Sequence, residues 1–218
     1  MATLRISRRF NGPPGSGNGG YVAGLLAAQR DERTVTIILR SPPPLETPLD
    51  VRAERLYDGD TLIAESESGE LERDAPGRVP FTDATEAARS YTGIEIFASC
   101  FVCGSGRADG LRIEPGRVDE HRVAAPWVPD DTMPLGPPLL WAAMDCPGGW
   151  SLPGMLERPA LLGSMTATVH DIPEVDERCV VVGEFHREQG RKCWASTAVY
   201  GADERLLGQA EQVWIRLP

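Results

Sequence analysis

The sequence predicts an α+β protein of two related halves, each an antiparallel sheet wrapped around one central apolar helix. Three observations carry that expectation. Two apolar stretches of helical length, "GGYVAGLLAAQR" and "PPLLWAAMDC", stand well apart in the chain. Each is followed by strand-like segments rich in β-branched residues. The helix-then-strands order occurs twice, with the first copy one strand short. At 218 residues and 41% hydrophobic content, the chain is long and apolar enough for such a core.

The elements follow in order. "TLRISRRF" reads as a strand, and residues 19 to about 30 as the first helix, with Tyr21, Leu25 and Ala28 at helical spacing. "TVTIILR" is a β-branched buried strand, ended by "SPPPLETP". "LDVRAERLYDGDTLIAESESGELE" reads as two strands around the turn "YDGD". Residues 76–98 read as a connector with a short helix at "DATEAARS", separating an N-terminal half (1–75) from a C-terminal half (99–218). In the second half "GLRIEPG" and "HRVAAPWVP" read as strands. The helix "PPLLWAAMDC" comes next, then "ALLGSMTATVHDI", "RCVVVGEFHRE", "KCWASTAVYG" and "RLLGQAEQVWIRL" as strands. Pro147, two residues after Asp145, is expected to end or kink that helix.

The loop "GPPGSGNG" has the glycine spacing of a nucleotide-binding P-loop. Asn18, however, stands where the phosphate-binding Lys would be, and Gly19 where a Ser or Thr would hold Mg²⁺. The preceding "RISRRF" is too polar for the buried strand that motif needs, so nucleotide hydrolysis is not expected. What remains is a glycine-rich turn opening an apolar helix, whose first N–H groups are free to meet negative charge or simply to allow close packing.

A net charge of −10 argues against a nucleic-acid or anionic-membrane partner, since phosphate binding needs a basic field. No apolar run approaches a membrane span, and "MATLRISRRF" lacks a signal-type apolar region. With five cysteines, an odd number, the expectation is a reducing cytoplasm. "CFVC" offers only half of a tetrahedral zinc site, and Cys146, Cys179 and Cys193 are scattered in sequence, so no metal site is expected. No nucleophile elbow or Ser-His-acid spacing occurs. Asp145 on an apolar helix is either catalytic or a structural acid bonding the Pro-Gly-Gly turn.

Three motifs in order give a resemblance. "GNGGYVAGLLA" is similar to the helix start H-G-G-x-x-x-x-L-x-[DE] of many acyl-CoA thioesterases, "LLWAAMDCPGG" to the acidic end of that motif, and "CFVCGSGRADGLRI" to the opening of a second repeat. Over essentially the whole chain the pattern resembles the hotdog-fold thioesterase superfamily, as a tandem double hotdog. The resemblance implies two helices lying antiparallel. The Gly after the motif His donates its N–H to the thioester carbonyl, and the acid eight residues later acts from the partner helix. Eight residues of helix span about 12 Å, too far for both groups to serve one carbonyl from the same helix.

Carried over by position, the first helix reads Asn18, Gly19, Gly20, with Ala27 at the acid position. The second has its acid at Asp145, with Gly136, Pro137 and Pro138 at the His and glycine positions. Proline has no N–H. The resemblance therefore implies one complete site, with Gly19 as oxyanion donor, Asp145 as general base or nucleophile and Asn18 in place of the His. Gly20, Tyr21, Trp141, Met144 and Ser151 are expected around the substrate. That substrate is an acyl-CoA or acyl-carrier thioester, with no cofactor beyond CoA as part of it, and the protein a homodimer. Two departures favour the alternative of a non-catalytic acyl-CoA- or lipid-binding hotdog: the His is missing, and Gly149 stands where one branch, the 4-hydroxybenzoyl-CoA thioesterases, has a hydroxyl residue. A hydratase of the same fold is disfavoured, because neither loop before a helix contains a His.

Overall fold

The computed structural model describes residues 2–218. The chain opens with β1 (Ala2–Arg5), a 3-10 turn (Arg8–Phe10) and α1 (Gly19–Ala27). Strands β2 (Thr34–Leu39), β3 (Pro48–Arg52), β4 (Arg55–Asp58) and β5 (Thr61–Ser68) follow. The connector carries α2 (Phe81–Ala88) and a second 3-10 turn (Glu95–Phe97). Beyond it lie β6 (Gly116–Arg117), β7 (Arg122–Trp127), α3 (Pro137–Ser151), β8 (Ala160–Val169), β9 (Cys179–Gln189), β10 (Lys192–Tyr200) and β11 (Leu206–Arg216). The α+β class is as expected. The expected two sheets are instead one continuous 11-stranded sheet, ordered β1-β3-β4-β5-β2-β8-β11-β10-β9-β7-β6, with neighbouring strands antiparallel.

The joint between the halves explains the difference. β2 and β8 pair through Thr34↔Thr168, Val35↔Ala167, Thr36↔Thr166 and Ile37↔Met165. Val35, Ile37, Met165 and Ala167 point inward and are buried. On the other face the hydroxyls of Thr34 and Thr168, and of Thr36 and Thr166, meet at 2.7 Å. A one-residue slip would turn threonines into the core and aliphatics to the outer face, so this alternation fixes the register. It also spares each half an exposed central edge.

Three local expectations are corrected. The stretch read as two strands forms three, because Ala53 and Glu54 both adopt positive φ (46° and 65°) and make an extra hairpin turn between β3 and β4. Such a turn normally announces itself with Asn-Gly, and two L-residues there carry strain of roughly 1–2 kcal/mol each. "GLRIEPG" is not a strand before Gly116: Arg112 sits at φ 54°, and the segment instead bonds along the cysteine turn, Leu111 N–H to Phe101 O and Ile113 N–H to Val102 O. Finally, α3 runs on through Pro147 to Ser151. The Gln212 amide of β11 donates to Met144 O at 2.8 Å, tying this turn of the helix to the sheet.

The two central helices pack directly on each other. Gly20 lies against Asp145 and Trp141, while Gly24 lies against Trp141 and Pro138, so the helices run antiparallel. A Cβ on Gly20 would stand 2.6 Å from Asp145 Cβ, and one on Gly24 would stand 2.7 Å from Pro138 Cα. The glycines thus set the helix separation. α1 buries Val22, Ala23 and Leu26, and α3 buries nearly its whole length, so both belong to the core rather than to a surface layer. Among the described residues, no helix is long and apolar enough to cross a membrane.

Candidate active site

The site begins with a helix cap. Asn18 precedes α1 in extended geometry, and its side-chain oxygen accepts from Tyr21 N–H at 2.8 Å. That is the ordinary work of an N-cap Asn, worth about 1 kcal/mol. Its amide nitrogen is thereby turned away from the helix and donates to Asp145 Oδ2 at 2.7 Å. Gly20 N–H donates to the same oxygen at 2.9 Å. One carboxylate oxygen of α3 is thus fixed by two donors from the start of α1. The second oxygen, Oδ1, is buried and has no hydrogen-bond partner.

Asp145 is only 3% exposed. Burial pushes its carboxyl up to about 7, against the pull of the Gly20 N–H and the Asn18 amide, with the nearby Cys100 adding to the rise. An unpaired buried carboxylate oxygen is costly and needs a reason. One is at hand, because Asp145 lines a cavity of about 240 Å³. Gly19 lines the same cavity, and its N–H makes no hydrogen bond within the described residues. The remaining wall is largely apolar, including Leu39, Met155, Leu162 and Trp214, with Arg40 at its rim paired to Glu65 at 2.8 Å. The arrangement offers a free helix N-terminal donor, an acid with one open oxygen and an apolar hollow.

The other residues expected near substrate lie elsewhere. Tyr21 stacks on Phe10 with ring centroids 3.9 Å apart and does not line the cavity. Trp141 packs on Gly24 between the helices, and Met144 packs under β11 beside Gly208. Ser151 turns its hydroxyl back to Gly148 O at 2.6 Å. Gly20 contributes its N–H to the acid, not to the cavity. All five are excluded from the wall by the same cause: helical spacing names the residues of a helix but not which side faces a hollow. Gly149 does line the cavity, against the Trp214 ring. Sequence reasoning missed Leu39, Leu162 and Trp214, which come from strands with no local signal for a pocket, and missed that all of Cys100, Cys103 and Cys146 line it.

Neither a protein-family model nor a curated protein matches the chain. Solved structures do. A tesB protein of Mycobacterium avium subsp. paratuberculosis aligns over 99% of this chain and 92% of its own, with TM-score 0.64 and 12% identity. A hot dog fold protein from Alicyclobacillus acidocaldarius aligns with the same values. A protein from Novosphingobium aromaticivorans, named as a thioesterase, aligns over 99% of this chain and 95% of its own, with TM-score 0.66 and 14% identity. At such identities the shared quantity is backbone architecture, and it extends over both halves and the joint between them. The chain therefore shares the hotdog fold of these structures.

Proposed function

We propose that the protein is an acyl-CoA thioesterase-like hydrolase with a single active site where the start of α1 meets the middle of α3. The observation that carries this reading is the pairing of Asp145, held by one oxygen and open at the other, with an unengaged Gly19 N–H on the same cavity wall. The thioesterase names of its structural neighbours point the same way.

In this reading the thioester carbonyl oxygen accepts from Gly19 N–H, where the positive end of α1 meets the charge that develops on attack. Asp145 Oδ1 takes a proton from water, whose oxygen adds to the carbonyl carbon, or attacks that carbon itself. On the first route the C–S bond then breaks and the thiol leaves with that proton. On the second the thiolate leaves an Asp145 mixed anhydride, which water cleaves to release the acid and restore the carboxylate, a water proton ending on the thiolate. Asn18 and Gly20 hold the acid in place. The apolar wall takes the acyl chain, and Arg40 at the rim is the candidate for CoA phosphate. The substrate is a CoA or acyl-carrier thioester. The two halves, 1–75 and 99–218 joined through 76–98, are tandem hotdog copies. The protein is a cytoplasmic homodimer, whose mass in solution is then twice that of the chain.

The test is thiol release from a panel of acyl-CoAs by the full chain, with Asp145→Asn as control. Hydrolysis lost in the variant, at unchanged melting temperature, supports the proposal. The second reading, a non-catalytic acyl-CoA binder, is favoured by Gly149 standing where a water-holding hydroxyl is wanted. It wins if wild type and variant are equally inert while an acyl-CoA still raises the melting temperature.

A further inference from the structure

Three of the five cysteines, from two separate segments, meet at the cavity wall. Cys100 and Cys103 come from the turn after the connector, and Cys146 from α3, directly after Asp145. Their sulfurs all lie within 4.8 Å of one another, and Cys100 Sγ and Cys146 Sγ are 3.7 Å apart. All three side chains are buried. In a tetrahedral zinc thiolate with Zn–S near 2.3 Å, sulfurs stand about 3.8 Å apart. A disulfide needs about 2.05 Å and would strand the third thiol.

The turn itself is built to hold its sulfurs. Gly104 N–H closes it on Cys100 O at 2.9 Å, and a Cβ at Gly104 would come within 2.5 Å of that oxygen, so only glycine allows the closure. Tyr91 Oη donates to Cys103 O at 2.7 Å, and its ring packs edge-on against Trp150 of α3. The turn thus places two sulfurs at a fixed separation facing Cys146 of α3.

We propose that Cys100, Cys103 and Cys146 bind a zinc ion, with the fourth ligand supplied by a molecule in the cavity. Three thiolates are a soft donor set that suits zinc and rejects magnesium and calcium. Binding exchanges three thiol protons for one Zn²⁺, with no change of oxidation state, and leaves a site of net charge −1. Among the described residues these three groups alone cluster, and all three line the cavity, so the fourth position belongs to water or to a bound ligand. The ion ties the CFVC turn to α3 and so orders one wall of the cavity. The remaining cysteines, Cys179 and Cys193, lie on β9 and β10 and take no part.

The proposal is independent of the hydrolase reading, since metal content and thioester cleavage are separate measurements. The full chain, purified reduced after growth with zinc, is expected to carry one equivalent by elemental analysis. Replacement by Co²⁺ is expected to give thiolate-to-cobalt charge-transfer bands and the strong visible bands of a tetrahedral site, a readout that needs no variant. Cys146→Ser and Cys100→Ser are expected to weaken Zn²⁺ binding by more than the 10–100-fold typical of a supporting residue, while Cys193→Ser leaves it unchanged. Metal-free protein that fails to bind Zn²⁺ or Co²⁺ when reduced would overturn the proposal. So would zinc content that depends equally on Cys193, or a Cys100–Cys103 or Cys100–Cys146 disulfide as the only change these thiols undergo.

Discussion

The starts of the two central helices make an instructive pair. α1 opens with Asn18-Gly19-Gly20, a side-chain cap followed by exposed N–H groups, and carries Ala27 eight residues after Gly19. α3 opens with Gly136-Pro137-Pro138, has no side-chain cap and offers no N–H at either proline, yet carries Asp145 eight residues after Pro137. Because the helices run antiparallel, the donors of α1 reach the acid of α3, whereas the prolines of α3 face a helix with no acid to receive. Two similar helices thus bring donors and an acid together at one end of their contact and only packing at the other. The physical lesson is that a buried acid is tolerated where the opposite helix terminus supplies donors, and nowhere else along the pair.

The sharpest way to break this asymmetry is Asp145→Asn. It removes the only acid at the paired end and is expected to lower kcat by about 10²–10⁴-fold in the acyl-CoA assay, the usual worth of a positioned base. Next, Ala27→Asp places a carboxylate at a buried position facing a proline-opened helix. Denaturant unfolding is expected to show a loss of about 3 kcal/mol, the scale of a buried charge left without partners; an unchanged midpoint would mean that the α3 end has donors after all. Gly20→Ala pushes a methyl into Asp145 and is expected to cost about 1–3 kcal/mol in the same assay, as overpacking does. The smallest effect belongs to Asn18→Ala, which removes the α1 cap and one of the two donors to Asp145. A loss of about 1–2 kcal/mol is expected, and Asn18→Ser, which keeps a capping oxygen, should recover part of it.

Much of this was legible in the chain because it is local. The start of α1 at Gly19 follows from the Asn cap and the apolar run behind it. The long strands β8 to β11 follow from alternation and β-branching, while the antiparallel helix pair came from the resemblance and not from any local pattern. What escaped was set by partners distant in sequence. The Ala53–Glu54 turn has no glycine to mark it and is held by the strands on either side. Pro147 reads as a helix end, yet α3 continues through it, packed against the sheet with Gly183 of β9 close to Pro147 O. Tyr21, Trp141, Met144 and Ser151 are apolar or small residues on the right helices that face the core or their own backbone. Cys146, counted among the scattered cysteines, meets the CFVC pair because α3 packs on the turn that follows the connector.

The sequence by itself determined which groups are present: a capped glycine start, a single acid in the helix pair, prolines that cannot donate and a C-x₂-C turn closed by glycine. These are properties of covalent structure and of short-range hydrogen bonding. Only the tertiary structure decided that two sheets merge through a threonine ladder, that Gly20 rather than Gly19 is the amide engaged with Asp145, and that one carboxylate oxygen and three sulfurs share a cavity wall. Those outcomes depend on the close packing of two helices over one sheet, where a separation of a few ångströms selects which neighbours touch and no local pattern encodes it.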